Sequence, residues 1–174
     1  VKVCYENSIP VIPRGAGTGL TGAAVAVDGG VMIDMSKMNK ILGYDLENFV
    51  VRVEPGVLLN DLAEDAQKQG LLYPPDPGEK FATLGGNVST NAGGMRAVKY
   101  GCTRDYVRAM TVVLPTGEIV KLGATVSKTS TGYSLLNLMI GSEGTLCILT
   151  EVTLKLMPAP KFTRTLVMPF ESLE

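Results

Sequence analysis

Clustered glycine residues constrain this chain more than any other feature of its sequence. Twenty of the 174 residues are glycine, above the average of about 7%, and most of them lie in segments 15–30, 78–94 and 141–144. Because glycine has no Cβ, it lets the backbone approach another group closely. The three segments therefore predict a folded domain whose backbone comes close to something bulky and polar.

Histidine is absent from the sequence, which excludes Ser-His-Asp and Cys-His catalysis and any histidine-containing zinc site within this chain. The formal net charge of −1 argues against a nucleic-acid-binding protein, which normally carries a basic face. Cys4, Cys102 and Cys147 are widely spaced and suggest neither a thiolate metal site nor a disulfide framework. We therefore expect no bound metal and a reducing, cytoplasmic setting.

The first residues suggest that the chain is an excerpt of a longer protein. It begins with Val1 rather than methionine, and residues 1–7 are typical of the end of a helix. No stretch approaches the ~20 apolar residues of a membrane span. No basic start followed by an apolar run marks a signal peptide either. We expect neither a transmembrane segment nor a signal peptide.

Short apolar runs separated by turn residues predict strands interleaved with a few helices. The predicted strands are 31–34, 41–44, 49–54, 109–114, 118–122 and 146–157, and the predicted helices are 58–69, 84–94 and 134–140. Residues 115–117 join two of the strands as a hairpin, and the proline-rich stretch 73–80 is a loop. This order predicts an α+β class with mixed sheets, short helices and two lobes.

The first glycine segment contains Gly17-x-Gly19-x-x-Gly22, which matches the dinucleotide fingerprint of a Rossmann fold. Only eight residues, 23–30, separate it from the next strand, and a crossover helix needs a dozen or more. We therefore expect no Rossmann fold. The loop still predicts a nest of backbone N–H groups suited to a diphosphate, with the hydroxyls of Thr18 and Thr21 as further donors. A tight turn without a ligand is the alternative.

The second segment combines the rigid stretch 74–78 with small and polar residues at 82–94. Its glycines permit close approach of a planar ring, and hydrogen bonds are available from Thr83, Asn87, Thr90 and Asn91. A packing seam of small residues between helix and sheet is an equally good interpretation. The third segment, 141–146, is by itself typical of an ordinary turn between a helix and a strand.

Taken together and in order, these segments resemble the FAD-binding domain of FAD-linked oxidases, the PCMH or vanillyl-alcohol-oxidase type. The resemblance is to the branch of the glycolate oxidase flavin subunit and D-lactate dehydrogenase, and it covers nearly the whole chain. The residues that carry it are PRGAGTGL (13–20), PDPG (75–78), GGNVSTNAGG (85–94), KYG (99–101) and GSEGTL (141–146).

The resemblance implies that three groups of residues hold FAD without a covalent bond. One group wraps the diphosphate, a second lies along the flavin, and a third holds the ribose and adenine. The implied cofactor-binding residues are Arg14, Gly15, Ala16, Gly17, Thr18 and Gly19, then Pro75, Asp76, Gly78, Thr83, Gly86, Asn87, Thr90 and Gly93, and finally Glu143, Gly144 and Ile148. One departure is Cys147, where the family usually has glycine.

By the same resemblance, residues 1–174 are an FAD-binding domain that is truncated at both ends. The substrate domain, which carries the catalytic base, is absent, so we assign no catalytic residue to this chain. Arg96 and Tyr100 either face the flavin edge or have surface and packing roles. The implied activity is hydride transfer from the α-carbon of a small 2-hydroxyacid to flavin N5.

Several alternatives and partners stay open at this point. The chain is alternatively the FAD domain of an alkyl-dihydroxyacetonephosphate synthase-like enzyme, a non-catalytic flavin-binding module, or a folded remnant that binds nothing. The resemblance also implies an electron acceptor, which is a quinone, an iron–sulfur subunit or an electron-transfer flavoprotein.

Overall fold

The computed structural model describes residues 1–126, 128–130, 132–170 and 172. Helices and strands are both short and are interspersed along the chain, and the α+β class is confirmed. The helices are α1 Lys2–Glu6, α2 Leu59–Lys68, α3 Leu84–Thr90, α4 Ala97–Tyr100 and α5 Leu135–Met139. The strands are β1 Val11–Arg14, β2 Val31–Asp34, β3 Ile41–Asp45, β4 Val50–Val53, β5 Leu71–Leu72, β6 Val107–Val113, β7 Ile119–Gly123, β8 Ile148–Lys155 and β9 Met157–Pro158.

The main sheet has five strands in the order β3-β4-β8-β6-β7, and every neighbouring pair is antiparallel. Its central strand, β8, pairs on both sides, and most of its residues are buried. The predicted hairpin joins β6 to β7, with the Leu114 N–H bonded to the Glu118 carbonyl at 2.8 Å. The turn needs Gly117, whose φ is +90°, because few other residues adopt that conformation.

Helix α2 is held by its apolar stripe rather than by a side-chain cap. Leu59, Leu62 and Ala66 recur at helical spacing and are all buried, Leu62 completely. They join the same core cluster as Val51 and Val53 of β4. Burying one leucine or valine side chain stabilises the fold by about 1.5–3 kcal/mol. The packing of this stripe therefore fixes α2 in the main core.

A second, two-stranded sheet pairs β1 with β2 in parallel, with Val11 opposite Val31. The connection between them, residues 15–30, contains turns and no helix. The predicted absence of a Rossmann crossover helix is thus confirmed. The first glycine segment is a long irregular loop that leaves the end of β1 and returns to the start of β2.

Two predicted elements are shorter in the structure. The strand predicted for 146–157 is interrupted at Leu156, whose N–H bonds to the Phe49 carbonyl at 2.7 Å, and β9 pairs with β5 instead. The helix predicted for 84–94 ends at Thr90, because Asn91 adopts a left-handed conformation with a φ of +50°. None of the helices in the described part of the chain combines the length and apolarity needed to cross a bilayer.

Candidate functional site

An open cleft lies where the first glycine loop, α3 and the turn before β8 meet. It brings together most of the residues predicted from the sequence to bind a cofactor. These are Arg14, Gly15, Ala16, Gly17, Thr18, Gly19, Thr83, Gly86, Asn87, Thr90, Glu143, Gly144 and Ile148. Pro75, Asp76, Gly78 and Gly93 do not line it.

Several glycines of the motifs face other segments of the protein itself. A Cβ on Gly144 would lie 2.7 Å from Cγ of Pro13, and a Cβ on Gly85 would lie 2.6 Å from Cβ of Pro55. A Cβ on Gly15 would overlap Oγ1 of Thr83. These glycines let β1, α3 and the turn before β8 converge. Gly85 therefore fits the interpretation of segment 82–94 as a packing seam. The same segment also lines the cleft.

The first glycine loop presents free hydrogen-bond donors. Within the part of the chain that the structure describes, the backbone N–H groups of residues 16–19 bond to no protein acceptor, and residues 16–19 are exposed. The Arg14 guanidinium folds over Gly17, so that a Cβ there would lie 2.8 Å from Cζ of Arg14. Free amides beside a cation form an anion-binding concavity. This arrangement fits a diphosphate group.

Helix α3 contributes one side chain that lacks a partner. Asn87 is only 4% exposed, it lines the cleft, and its Nδ2 has no hydrogen-bond acceptor among the described residues. An unsatisfied buried donor costs about 1–3 kcal/mol. The amide is therefore suited to an acceptor atom of a bound molecule, which makes it the feature that best matches a cofactor.

The hydroxyls of Thr83 and Thr90 are used inside α3. Oγ1 of Thr83 caps the helix by accepting the Gly86 N–H at 3.2 Å, and Oγ1 of Thr90 donates to the Gly86 carbonyl at 3.0 Å. A Ser or Thr cap of this kind satisfies one of the unpaired N–H groups of a first turn. Gly86 thus has both backbone groups engaged, and its role in the cleft is to keep the wall free of a side chain.

The turn before β8 carries Glu143 in an unusual conformation. Its φ is +52°, and its N–H bonds to the Ser89 carbonyl at 2.8 Å while the Gly141 N–H bonds to the Val88 carbonyl at 3.1 Å. Oε2 of Glu143 accepts a hydrogen bond from Oγ1 of Thr21. A non-glycine residue in this region costs free energy, and such residues cluster at functional sites.

Sequence reasoning missed the apolar part of the cleft. Met35, Pro55 and Leu149 line it, and none of them was among the predicted site residues. Such residues carry no motif, so only the tertiary structure identifies them. Their apolar surface suits a planar aromatic ring.

Cys147 also lines the cleft, and it faces a second, open pocket beside α1 as well. Its side chain is half-buried, and burial raises the pKa of the thiol above its usual range. The group is therefore a neutral thiol at pH 7, and a poor nucleophile.

Asp76 lies outside the cleft because two cations hold it elsewhere. It is 9% exposed, and its carboxylate contacts Nζ of Lys80 at 2.6 Å and a guanidinium nitrogen of Arg96 at 3.5 Å. The hydrogen bond from Lys80, and then the positive charges of Lys80 and Arg96, lower the pKa of Asp76. A Cβ on Gly94 would overlap the Asp76 carbonyl. This group joins loop 73–80 to the segment after α3, with Arg96 as the ion-pair partner from that segment.

The fold and the cleft together define a domain that binds a phosphate-containing aromatic cofactor. A family model described as "FAD binding domain" matches residues 1–123. The chain belongs to this FAD-binding family, and the resemblance inferred from its motifs is confirmed. FAD is therefore the cofactor of this domain.

Proteins of known sequence and structure agree with this membership. The chain is 79% identical over its whole length to the D-lactate dehydrogenase of Anaerostipes hadrus. It is 43% identical over 175 aligned residues to the glycolate oxidase subunit GlcD of Bacillus subtilis strain 168, and it covers 37% of each of these two relatives. A solved structure of alkyldihydroxyacetonephosphate synthase superposes with a TM-score of 0.80 and 31% identity, covering 92% of this chain and 32% of that protein.

Proposed function

We propose that this chain is the FAD-binding domain of a flavoprotein dehydrogenase that oxidises a small 2-hydroxyacid of the D-lactate or glycolate type. The unpartnered Asn87 amide in the cleft carries the binding part of the proposal. The printed names of relatives at 79% and 43% identity support the reaction class. The chain spans about 37% of those relatives, so the activity belongs to the native protein that carries this sequence.

Each group of cleft residues has a distinct part in this proposal. The free N–H groups of residues 16–19 and the Arg14 guanidinium bind the diphosphate, and Nδ2 of Asn87 donates to an acceptor on the cofactor. Glu143 accepts hydrogen bonds from ribose hydroxyls, while the apolar residues hold the ring and exclude water. When bound, FAD supplies a hydride acceptor at flavin N5 for the α-hydrogen of the substrate.

The same proposal extends to residues outside the cleft. Pro75, Asp76, Gly78 and Gly93 do not line the cleft, and their contact with FAD stays a prediction from the family motifs. Binding is non-covalent, since the chain has no histidine and the Cys147 thiol is held neutral by its raised pKa. An iron–sulfur subunit, an electron-transfer flavoprotein or a quinone accepts the electrons, and the setting is cytoplasmic.

A second candidate is the FAD domain of an alkyldihydroxyacetonephosphate synthase-like enzyme. The structural similarity to that synthase, at a TM-score of 0.80, favours it. The identities with D-lactate dehydrogenase and the glycolate oxidase subunit are higher, at 79% and 43% against 31%. We therefore prefer the dehydrogenase.

Titration of the purified chain with FAD tests the binding site. We expect Gly17→Ala to weaken FAD binding at least tenfold, since its new Cβ would displace the Arg14 guanidinium from the loop. Gly70→Ala is the matched control, because Gly70 has the same φ of +72° but no atom within 4 Å of its Cβ position. Equal affinities for the two variants would contradict the proposed diphosphate site.

The reaction class is tested on the native protein. Anaerobic addition of D-lactate or glycolate is expected to bleach the visible absorbance of bound flavin. Bleaching by neither hydroxyacid, together with turnover of an acylated dihydroxyacetonephosphate, would instead support the second candidate.

A further inference from the structure

We infer that Arg104 is a positioning residue for the cofactor site, acting through Glu143 without reaching the cleft itself. The inference rests on the proposed role of Glu143 in holding the ribose and adenine end. Arg104 lies in the 3₁₀ turn Thr103–Tyr106, and it does not line the cleft.

The guanidinium of Arg104 bonds the end of α5 directly. One terminal nitrogen donates to the Asn137 carbonyl at 2.6 Å and the other donates to the Ile140 carbonyl at 2.8 Å. Carbonyls at the end of a helix have no partner within the helix, and the planar fork of arginine can serve two of them at once. Arg104 thereby fixes the position at which the chain leaves α5.

Arg104 is itself held by the end of α3. Its backbone N–H bonds to Oδ1 of Asn91 at 3.0 Å, and Asn91 is the left-handed residue that terminates that helix. A Cβ on Gly141 would lie 3.4 Å from Cβ of Asn91 and 3.6 Å from a guanidinium nitrogen of Arg104. The start of the 141–144 turn is therefore enclosed by Asn91 and Arg104 together.

Glu143 lies only two positions after this enclosed point. The Gly141 and Glu143 N–H groups bond to carbonyls of α3, so the turn is fastened to the same helix that holds Arg104. Glu143 keeps a φ of +52°, and a residue in such a conformation persists only when its surroundings impose it. The two carbonyl bonds from Arg104 supply part of that constraint, and the Glu143 carboxylate consequently stays directed at Thr21 and the cleft.

A cofactor-free measurement tests the positioning role first. In the Arg104→Met variant, amide hydrogen exchange at Gly141 and Glu143 is expected to accelerate at least tenfold, while exchange at Val152 in the core is unchanged. Arg52→Met is the matched control, since the Arg52 side chain makes an exposed 3.8 Å ion pair with Glu151 on the main sheet, away from the 141–144 turn. Unchanged exchange at Glu143 would overturn the inference whether or not FAD binds.

Ligand binding then tests the link to the cofactor site. We expect Arg104→Met to weaken FAD binding about tenfold and FMN binding less than twofold, because FMN lacks the adenylate end. The effect is expected to vanish when Glu143→Gln is already present, since residues that act as a unit are not additive. An additive effect, or equal losses for FAD and FMN, would show that Arg104 only stabilises the fold.

A milder variant guards against failure to fold. Arg104→Lys retains a donor for one of the two carbonyls, so we expect FAD affinity between those of wild type and Arg104→Met. Failure of the wild-type chain to bind FAD, with the exchange result as expected, would refute the proposed cofactor role of Glu143 and leave the positioning of its turn established.

Discussion

Oγ1 of Thr21 donates a 2.6 Å hydrogen bond to Oε2 of Glu143, although the two residues are 122 positions apart in the chain. The bond joins the first glycine loop to the turn before β8, and both residues line the cleft. One carboxylate oxygen of Glu143 is thus occupied by the protein, which orients the other for a ligand.

The Thr21→Val variant removes this bond while keeping the shape of the side chain. We expect FAD to bind about five- to tenfold more weakly, equivalent to about 1 kcal/mol for one hydrogen bond, with little change in the stability of the chain because the pair is exposed. Isothermal titration with FAD measures the effect. Thr116→Val is the control, since its hydroxyl bonds to Glu118 in the exposed hairpin turn, and an equal loss there would contradict this prediction.

Asn87→Leu is predicted to weaken FAD binding without destabilising the fold. Removing a buried donor that has no partner is expected to leave the free energy of unfolding unchanged or to raise it by about 1–3 kcal/mol. FAD affinity should fall at least tenfold. Urea unfolding without cofactor and a fluorescence titration with FAD measure the two effects. The control is Asn60→Leu, which removes an amide bonded to Glu64 on α2 and should not weaken FAD binding. A loss of stability in Asn87→Leu would contradict the absence of a partner for Nδ2 of Asn87.

Gly144→Ala is expected to destabilise the chain more than Gly78→Ala. Both glycines have left-handed φ values, +81° and +87°, and alanine costs about 1–2 kcal/mol in that region. Only the Cβ at position 144 meets an atom, Cγ of Pro13 at 2.7 Å, and overpacking adds about 1–3 kcal/mol. Chemical denaturation of both variants gives the difference. Equal losses would mean that Pro13 does not constrain the turn.

Asp76→Asn is predicted to change the pH dependence of stability. The pKa of Asp76 is lower in the folded chain than its ordinary value of 3.8, so its ionised form stabilises the fold above that value and the contribution is lost as pH falls through the folded pKa. We expect the variant to be about 1–3 kcal/mol less stable at pH 7. The difference should shrink below about pH 4.

Thermal unfolding of wild type and variant between pH 3 and pH 7 measures this difference. Asp28→Asn, which removes an exposed carboxylate from the connection 15–30, controls for the loss of one negative charge. A difference that stays constant with pH would exclude the paired carboxylate as its cause.

The Cys147 thiol is expected to react slowly with iodoacetamide at neutral pH. Burial raises its pKa, and the thiolate is the reactive form, so the rate should keep rising above the pH at which an exposed cysteine peptide levels off. Bound FAD should slow the reaction further because Cys147 lines the cleft. Peptide mass spectrometry follows alkylation at this one residue. An alkylation rate that is unaffected by FAD would show that Cys147 does not lie beside the bound cofactor.

Local signals in the sequence predicted much of the fold. The β6–β7 hairpin follows from the turn residues 115–117 between two apolar runs. The position of α2 follows from the spacing of Leu59, Leu62 and Ala66, with Gly70 just after its end. The lack of a crossover helix follows from the length of the connection 15–30. Each of these depends on neighbours within a few residues.

Contacts between distant segments could not be predicted in the same way. The pairing of Thr21 with Glu143 depends on how the main sheet brings the turn before β8 beside the first loop. The ion pair of Asp76 with Arg96 depends in the same way on how loop 73–80 meets the segment after α3. Neither contact has a signature in the local sequence.

The antiparallel pairing of β4 with β8 sets Val53 opposite Val152, and this has a consequence for synthesis on the ribosome. About one hundred residues must be added after β4 before its partner strand exists, which takes about 5–20 s at ordinary rates of translation. During that interval, the edge of β4 that pairs with β8 has no partner, and the apolar stripe of α2 has no complete core to cover. The nascent chain therefore keeps apolar surface exposed until β8 leaves the exit tunnel, and only then does the cleft acquire its last wall.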